Sequence, residues 1–259
     1  MFVSTDDGCR LSVIPGPQAA VPMVLSNSLG TDHSLWDFQV GAFSRQHAVW
    51  RYDTRGHGGS DVAEGDYSIE RLGKDLVSVI DATGSDRADL CGVSIGGLTA
   101  LWVAVHAPDR VRRIVLANTA ARIGDAAMWS ERIRTVSTAG TASLADATMS
   151  RWFTAEFRMA RPDVVSGFHS AISRTSAAGY AGCCAALRDA DLRAEVSRVA
   201  CPTLVVTGRH DPATPPALGC WLAEHIPGAK LLDLDAAHLS NVERPDEFNS
   251  AVLTFTIGE

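Results

Sequence analysis

The chain lacks the features that mark exported, membrane-spanning and nucleic-acid-binding proteins. The segment Met1–Asp7 is acidic and has no apolar core, so we expect no secretory signal. The apolar stretch Leu90–Val105 has only 16 residues and is interrupted by three glycines, which makes it too short to span a bilayer. A net charge of −7 argues against nucleic acid or an anionic membrane as a partner. We therefore expect a cytoplasmic protein, and a small anionic substrate stays open because such a ligand responds to the local pocket.

The six cysteines do not form a pattern of metal ligands. None of them occurs in a CxxC motif or at the Cys and His spacing of a zinc site. In a chain of this size without a signal, we expect reduced thiols that are mostly buried. The sequence therefore predicts no metal site.

Strand and helix patterns alternate along most of the chain. A chain of 259 residues is long enough for one α/β domain with an insertion. The alternation predicts a mostly parallel central sheet with helices on both faces. The predicted strands are Cys9–Ile14, Val21–Leu25, His47–Tyr52, Ala88–Leu90, Arg113–Ala117, Pro202–Thr207 and Ala229–Leu234. The predicted helices are Tyr67–Ala82, Leu98–His106, Ala217–His225 and Pro245–Phe255.

The alternation of strand and helix patterns stops between residues 119 and 191, where no clear strand pattern occurs and alanine is frequent. Large apolar residues recur there at loosely helical spacing. This pattern predicts a helical cap (residues 119–191) inserted over the carboxyl edge of the sheet. The core then consists of residues 1–118 and 192–259.

The motif Gly-x-Ser-x-Gly at Gly92–Gly96 carries the main chemical signal. A strand pattern precedes it and the apolar helix pattern of Leu98 follows, which is the setting of a nucleophile elbow. Glycines permit the tight turn and close packing of the helix. Ser94 is then the predicted nucleophile, next to a helix N-terminus that favours negative charge.

A serine nucleophile needs a base to take its proton and an acid to orient that base. His238 and Asp211 each follow a predicted strand, so both belong to the edge of the sheet that binds ligands. The chain order Ser94, Asp211, His238 is that of the α/β-hydrolase fold. Asp125 is the competing acid, and Asp233 and Asp235 are weaker candidates.

Two loops near the predicted nucleophile have different expected roles. The candidate oxyanion donors are the backbone N–H groups of Leu29 and Ile95. Leu29 lies in a loop that follows a buried strand. A simple strand-to-helix turn is the alternative for the first loop. The loop Asp53–Asp61 lacks the pattern of a phosphate or metal site. We expect it to be structural, with His57 outside catalysis.

Five segments of the chain carry a family resemblance. The segments are Asn27–His33, Arg51–Gly58, Leu116–Gly124 with Met128 and Trp129, Gly179–Asp189 and Asp235–Asn241. Together they resemble the 3-oxoadipate enol-lactone hydrolases, which are carboxylic-ester hydrolases of the α/β-hydrolase superfamily. Two of these segments, which contain Asn-Thr-Ala-Ala-Arg-Ile-Gly and Cys-Cys-Ala-Ala-Leu-Arg-Asp, carry most of the specificity because they lie in the variable cap. Ile95 departs from the methionine common at such elbows, but its backbone N–H is unaffected.

The resemblance implies hydrolysis of 3-oxoadipate enol-lactone to 3-oxoadipate, in the β-ketoadipate pathway of aromatic degradation. It implies an acyl-enzyme on Ser94 and requires no metal or organic cofactor. The substrate carries a carboxylate, so the pocket needs a cation or several donors. Arg134 and Arg188 are expected to raise KM when replaced by alanine. The full set of candidate substrate-binding residues is Ser28, Arg122, Trp129, Arg132, Arg134 and Arg188.

Other interpretations remain open at this point. The chain could be another serine carboxylesterase or lactonase, or a cofactor-free haloperoxidase-like hydrolase. Dehalogenase chemistry is disfavoured because a dehalogenase would be expected to carry an aspartate at the elbow, where this chain has Ser94. A ligand receptor that kept the fold would show a degraded triad. The sequence also leaves open whether the protein is a homo-oligomer.

Overall fold

A central eight-stranded sheet forms the frame of the protein. The computed structural model describes residues 1–17 and 21–258. Its strands are β1 (Phe2–Ser4), β2 (Arg10–Ile14), β3 (Pro22–Ser26), β4 (Ala48–Tyr52), β5 (Ala88–Val93), β6 (Val111–Ala117), β7 (Thr203–Gly208) and β8 (Lys230–Leu234). Its α-helices are α1 (Asp37–Phe43), α2 (Ile69–Ala82), α3 (Ile95–His106), α4 (Ala126–Ala139), α5 (Ala145–Trp152), α6 (Ala155–Ala160), α7 (Pro162–Arg174), α8 (Ala177–Asp189), α9 (Pro216–His225), α10 (Ser240–Glu243) and α11 (Pro245–Ile257).

The strands follow the order β1-β2-β4-β3-β5-β6-β7-β8. The pairs β1–β2 and β2–β4 are antiparallel, and every later pair from β4 to β8 is parallel. The central strands β3 and β5 are buried at every residue, because helices cover both faces of a parallel sheet. The predicted α/β-hydrolase architecture of the sheet is confirmed.

Three elements were not expected from the sequence. The strand β1 has three residues and lies at the edge of the sheet, and α10 has four residues, so neither carries a measurable period. The helix α1 has seven residues and contains Gly41. The helix α3 begins at Ile95 rather than Leu98, since the glycines of the elbow already belong to its first turn.

The cap segment is helical, and the helices α4 to α8 occupy most of it. Side-chain caps begin three of these helices: Asp125, Thr154 and Ser176 accept hydrogen bonds from the backbone N–H three residues ahead. The helix α4 packs along α8. The division into core and cap at residues 119 and 191 stays a prediction, and residues 18–20 and 259 of the predicted core lie outside the described residues.

The cap contacts the core at two places that matter for the site. A Cβ atom on Gly179 of α8 would lie 2.3 Å from Cα of Gly56, so the backbones can only approach because both residues are glycine. The N–H of Leu239 donates to the carbonyl of Trp152 at 3.0 Å. Among the residues that the structure describes, no helix has the length and apolarity needed to cross a membrane.

Candidate active site

Ser94 occupies a sharp turn between β5 and α3. Its φ of 59° and ψ of −122° are rare for a residue with a side chain, and such strain costs on the order of 1–3 kcal/mol. The N–H of Ser94 donates to Ala117 at 3.0 Å, and the Thr119 hydroxyl donates to the Ser94 carbonyl at 2.7 Å. A Cβ atom on Gly96 would lie only 2.2 Å from the Ser26 carbonyl oxygen. The turn therefore needs glycine at this position to present the serine.

His238 and Asp211 form a buried hydrogen-bonded pair on the same edge of the sheet. The distance from His238 Nδ1 to Asp211 Oδ2 is 2.8 Å. Asp211 follows β7, His238 follows β8 and Ser94 follows β5, so the carboxyl ends of three parallel strands bring them together. Ser94 and His238 line one cavity. The structure thus places Ser94 and His238 on one cavity and pairs His238 with Asp211.

The carboxylate of Asp211 is held by several donors besides His238. Its Oδ1 accepts from the backbone N–H groups of Ala213 and Thr214 at 2.8 and 3.0 Å, and its Oδ2 accepts from the Thr214 hydroxyl at 2.6 Å. Burial alone would raise the pKa of Asp211, but its interaction with His238 and these hydrogen bonds outweigh burial and lower that pKa. Asp211 is therefore a carboxylate that can fix the proton of His238 on Nδ1, which leaves Nε2 to accept the proton of Ser94.

Asn118 is a residue of this site that the sequence analysis did not identify. It follows β6 with a φ of 45°. Its amide donates to Asp211 Oδ2 at 3.0 Å and to the Ala237 carbonyl at 3.2 Å, and its Oδ1 accepts from Ser240 at 2.5 Å. A polar residue directly after a buried strand was the available signal. Asn118 connects the acid of the site to the loop that carries His238.

The weaker candidate acids have other partners. Asp125 caps α4 by accepting from the N–H of Met128 at 2.8 Å. Asp233 pairs with Arg209 and Asp235 pairs with His210, and all four of these side chains are exposed. None of the three carboxylates contacts His238, so the structure favours Asp211 as the acid.

The two candidate oxyanion donors belong to two segments, the loop after β3 and the start of α3. Leu29 belongs to the loop after β3 and lines the same cavity as Ser94, and Ile95 opens α3 directly after the serine. Within the described residues, neither backbone N–H donates to a protein acceptor. The next N–H in the first loop, that of Gly30, donates to His57 Nε2 at 3.0 Å. His57 itself does not line the cavity.

The loop after β4 is held by buried charges. Asp53 accepts from the N–H groups of His33 and Gly59 at 2.7 and 2.8 Å. Arg55 forms an ion pair with Asp75 at 2.6 Å, and both side chains are almost fully buried. These contacts give the loop the structural role that was expected of it.

The cavity above Ser94 is small, about 140 Å³, and the cap supplies most of its wall. Ser28 lies on its core side, and Trp129, Trp152 and Tyr180 are among the cap residues that line it. Trp129 is fixed because its indole N–H donates to the Ile123 carbonyl at 2.6 Å. The cavity therefore accepts a small molecule with an apolar part.

Two half-buried arginines also line the cavity. The Arg151 guanidinium donates to Thr148 at 2.9 Å, and the Arg132 guanidinium lies 5.4 Å from the centre of the Trp129 ring. Burial and then the charge of Arg132 lower the pKa of Arg151. Among the described residues, neither arginine forms an ion pair with a carboxylate. The cavity thus contains two cationic groups that no carboxylate of the described residues neutralises.

The structure does not bring the other three predicted arginines into the cavity. Arg122 pairs with Asp191 at 3.5 Å, and Arg134 is exposed and pairs with Glu131 on its own helix. Arg188 pairs with Asp66 and Asp189 at 3.0 and 2.7 Å. Each of these charges is satisfied by a neighbouring carboxylate at the surface. Arg151, which the sequence analysis did not identify, lines the cavity instead.

The residues that the structure describes contain no cluster of three or more His, Cys, Asp or Glu side chains placed to hold a metal ion.

Comparison with known proteins identifies the family. Residues 21–245 match the family model described as alpha/beta hydrolase fold.

The chain belongs to the α/β-hydrolase fold family. This α/β-hydrolase is 43% identical over 230 residues to 3-oxoadipate enol-lactonase 2 of Acinetobacter baylyi. The aligned residues cover 89% of this chain and 86% of the relative. It is 39% identical to 3-oxoadipate enol-lactonase 1 of the same organism, over 96% of this chain and 93% of the relative. The resemblance predicted from the five segments is confirmed.

A solved structure gives the same result. The enol-lactonase from Burkholderia xenovorans LB400 matches this α/β-hydrolase with a TM-score of 0.97 and 42% sequence identity. The alignment covers 99% of this chain and 100% of that chain. The agreement extends over the cap segment as well as the sheet. The chain is therefore a hydrolase by family.

Proposed function

We propose that this protein hydrolyses 3-oxoadipate enol-lactone to 3-oxoadipate in the β-ketoadipate pathway. One observation carries the proposal: a small cavity combines Ser94 and His238 with Arg132 and Arg151, which have no counter-ion among residues 1–17 and 21–258. A serine and histidine fit ester hydrolysis, and unpaired cations fit a substrate with a carboxylate. The names of the relatives that share about 40% of the sequence support the same substrate.

The first half of the reaction forms an acyl-enzyme. Ser94 Oγ attacks the lactone carbonyl carbon while His238 Nε2 takes the hydroxyl proton, and Asp211 stabilises the resulting imidazolium. The N–H groups of Leu29 and Ile95 stabilise the oxyanion of the tetrahedral intermediate. One such donor typically contributes about 3–4 kcal/mol.

The second half releases the product and restores the enzyme. Collapse of the intermediate breaks the ring C–O bond, and the proton on His238 goes to the departing enol oxygen, which tautomerises to the ketone. A water molecule then attacks the acyl carbon while His238 Nε2 takes its proton. The proton returns to Ser94 Oγ as the acyl bond breaks, so one water is consumed per lactone.

Arg151 and Arg132 bind the substrate carboxylate in this account. A half-buried guanidinium without a counter-ion is poorly solvated, so a carboxylate that enters the cavity gains charge-assisted hydrogen bonds. Trp129 packs against Arg132 and supplies an apolar surface for the lactone ring. This pair replaces Arg122, Arg134 and Arg188 as the proposed anion site.

The experiment that tests the function follows the ultraviolet absorbance of the enol-lactone with purified protein. The wild type is expected to remove the lactone absorbance and to release 3-oxoadipate, and Ser94→Ala is expected to be inactive. Hydrolysis of a neutral p-nitrophenyl ester without activity on the lactone would retain the serine mechanism and reject the substrate.

The site of action in the cell is proposed on separate grounds. All six cysteines are free thiols, and four of them are buried. Free thiols are typical of a reducing compartment, which supports a cytoplasmic enzyme. The small anionic lactone is the only partner that the proposal requires.

A further inference from the structure

His57 is a buried titratable residue that the proposed mechanism does not use. It lies in the loop after β4 and is 2% exposed. Its Nε2 atom accepts a hydrogen bond from the backbone N–H of Gly30 at 3.0 Å. Gly30 directly follows Leu29, whose N–H is one of the two proposed oxyanion donors. The side chain therefore holds the peptide next to the donor from outside the cavity.

The two hydrogen bonds of His57 determine which nitrogen carries its proton. Since the Gly30 N–H is a donor, Nε2 must be unprotonated. Nδ1 then carries the proton and faces the carbonyl of Arg55 at 3.3 Å. Burial favours the same neutral state, because it lowers the pKa of His57. The imidazole is thus oriented at both nitrogens.

The turn that His57 holds has little freedom on its other sides. Gly30 has a φ of 82°, and a Cβ atom there would lie 3.1 Å from Ile172 and 3.2 Å from Tyr180 of the cap. The Thr31 hydroxyl donates to the Ser28 carbonyl at 2.8 Å. The cap therefore limits the turn on one side, and the Gly30–His57 hydrogen bond fixes it from the core.

We propose that His57 is a positioning residue for ester hydrolysis, whose neutral imidazole orients the Leu29–Gly30 turn so that the Leu29 N–H reaches the oxyanion formed on Ser94. The proposal rests on the proposed serine mechanism. It predicts that loss of the acceptor at Nε2 impairs the transition state more than the binding of substrate, because the oxyanion exists only after attack.

Two substitutions separate the two sides of the imidazole. In His57→Gln the amide oxygen can reach the position of Nε2 and accept from Gly30, whereas the contact with Arg55 is lost. In His57→Asn the shorter amide can serve Arg55 but leaves the Gly30 N–H without an acceptor. His57→Phe keeps a ring and has no acceptor, which provides a second variant of the same kind if the asparagine variant does not fold.

The assay measures kcat and KM for the enol-lactone and for p-nitrophenyl acetate, with Ser94→Ala as the inactive reference. We expect His57→Asn and His57→Phe to lose about tenfold to a hundredfold in kcat on both substrates, with KM changed less than about twofold. We expect His57→Gln to stay within about threefold of the wild type. The inhibition constant of a boronic acid, which forms a tetrahedral adduct on the serine, is expected to rise in the same order.

Equal activity of the glutamine and asparagine variants would overturn the proposal, as would a loss confined to KM. A loss in His57→Gln as large as in His57→Phe would likewise assign His57 to packing alone. The p-nitrophenyl ester keeps this test independent of the natural substrate. If the wild type hydrolyses that ester and not the enol-lactone, the proposed substrate fails while the role of His57 is still decided.

Discussion

The side-chain amide of Asn118 donates a hydrogen bond to the carboxylate of Asp211 at 3.0 Å. The same amide group reaches the carbonyl of Ala237, the residue before His238, at 3.2 Å. One side chain therefore connects the acid of the proposed triad with the backbone that positions its base. Asn118 adopts a φ of 45°, a conformation that asparagine and glycine tolerate better than other residues.

Asn118→Gly is expected to lower kcat about tenfold and to leave KM nearly unchanged. Glycine accepts the positive φ, so this variant removes the side-chain hydrogen bonds to Asp211, Ala237 and Ser240 without adding backbone strain. Steady-state kinetics with the enol-lactone give both constants. Asn118→Ala loses the same hydrogen bonds and adds backbone strain, so it should also unfold at a lower temperature. A wild-type kcat in Asn118→Gly would show that catalysis does not need the connection between Asp211 and the loop of His238.

Asp211→Asn is expected to lower kcat by about three to four orders of magnitude and also to lower stability, because an amide cannot accept all the hydrogen bonds that Asn118, Ala213 and Thr214 donate to the carboxylate. An asparagine at this position can donate to Nδ1 of His238, which places the imidazole proton on Nε2 and removes the base that faces Ser94. The pH dependence of kcat/KM provides a second readout, because the lowered pKa of Asp211 keeps it ionised under mildly acidic conditions. Activity within tenfold of the wild type would exclude Asp211 as the acid.

Arg151→Met and Arg132→Met are each expected to raise KM for the enol-lactone about tenfold to a hundredfold, with a smaller effect on kcat. Each change removes charge-assisted hydrogen bonds to the substrate carboxylate, which are worth about 1.5–3 kcal/mol. Activity on neutral p-nitrophenyl acetate should be retained. Arg134→Met is the matched control, since Arg134 is exposed and paired with Glu131; a raised KM in this variant alone would reinstate it as the anion site.

His57 is expected to make the protein less stable as the pH falls. The charges of Asp53 and Asp32 favour protonation of His57, but burial outweighs them and lowers the pKa of His57 below its usual value of 6.5. The ring of Tyr180, 6.4 Å from that of His57, contributes to this burial. The unfolded chain therefore binds the proton first, so the free energy of unfolding falls below pH 6.5 by up to about 1.4 kcal/mol per pH unit. Above that pH the residue has no such effect.

Urea unfolding at pH 7.5 and pH 5.0 tests this contribution. The wild type should lose more stability than His57→Gln between the two conditions, because glutamine does not titrate. All other ionisable groups are shared by the two proteins. Identical losses in both would show that His57 titrates normally in the folded state.

Gly96→Ala is expected to destabilise the elbow by several kcal/mol or to prevent folding. Its Cβ atom would lie 2.2 Å from the Ser26 carbonyl oxygen, and neither backbone can move without breaking the turn. Gly41→Ala in α1 is the control, since among the described residues no atom beyond its chain neighbours and its own helix backbone lies within 4 Å of the added Cβ. It should stabilise the helix by up to about 1 kcal/mol. Thermal unfolding distinguishes the two.

The sheet could be predicted from the sequence, and the cap and the proposed triad could be inferred from it, because each inference uses local signals. Buried strands appear as continuous apolar runs; Ser94 directly follows β5, and Asp211 and His238 lie in the short loops after β7 and β8. The helix α1 escaped prediction because seven residues with an internal glycine give too little periodicity. The local sequence pattern was enough to predict a residue's place in the fold wherever a single helix or strand determines that place.

Arg151, and the choice of Arg132 over Arg134, could not be predicted because the positions of these side chains depend on how the cap helices pack. Arg132 and Arg134 are two residues apart on α4, so they point in different directions, and only the packing of α4 on α8 decides which faces the cavity. Arg151 lies on another helix, and nothing in its sequence neighbourhood indicates a ligand. The bond from Gly30 to His57 joins loops 27 residues apart and has no local signature either.

Hydrolysis of the enol-lactone and recognition of its carboxylate are tested together by comparing 3-oxoadipate enol-lactone with its methyl ester, which has the same ring but no carboxylate charge. We predict that the wild type opens the ring of the acid with a kcat/KM about tenfold to a hundredfold higher than that of the ester, and that both activities require Ser94. Equal or better turnover of the methyl ester would contradict recognition by the arginine pair. Absence of ring opening in the acid would contradict the proposed function itself.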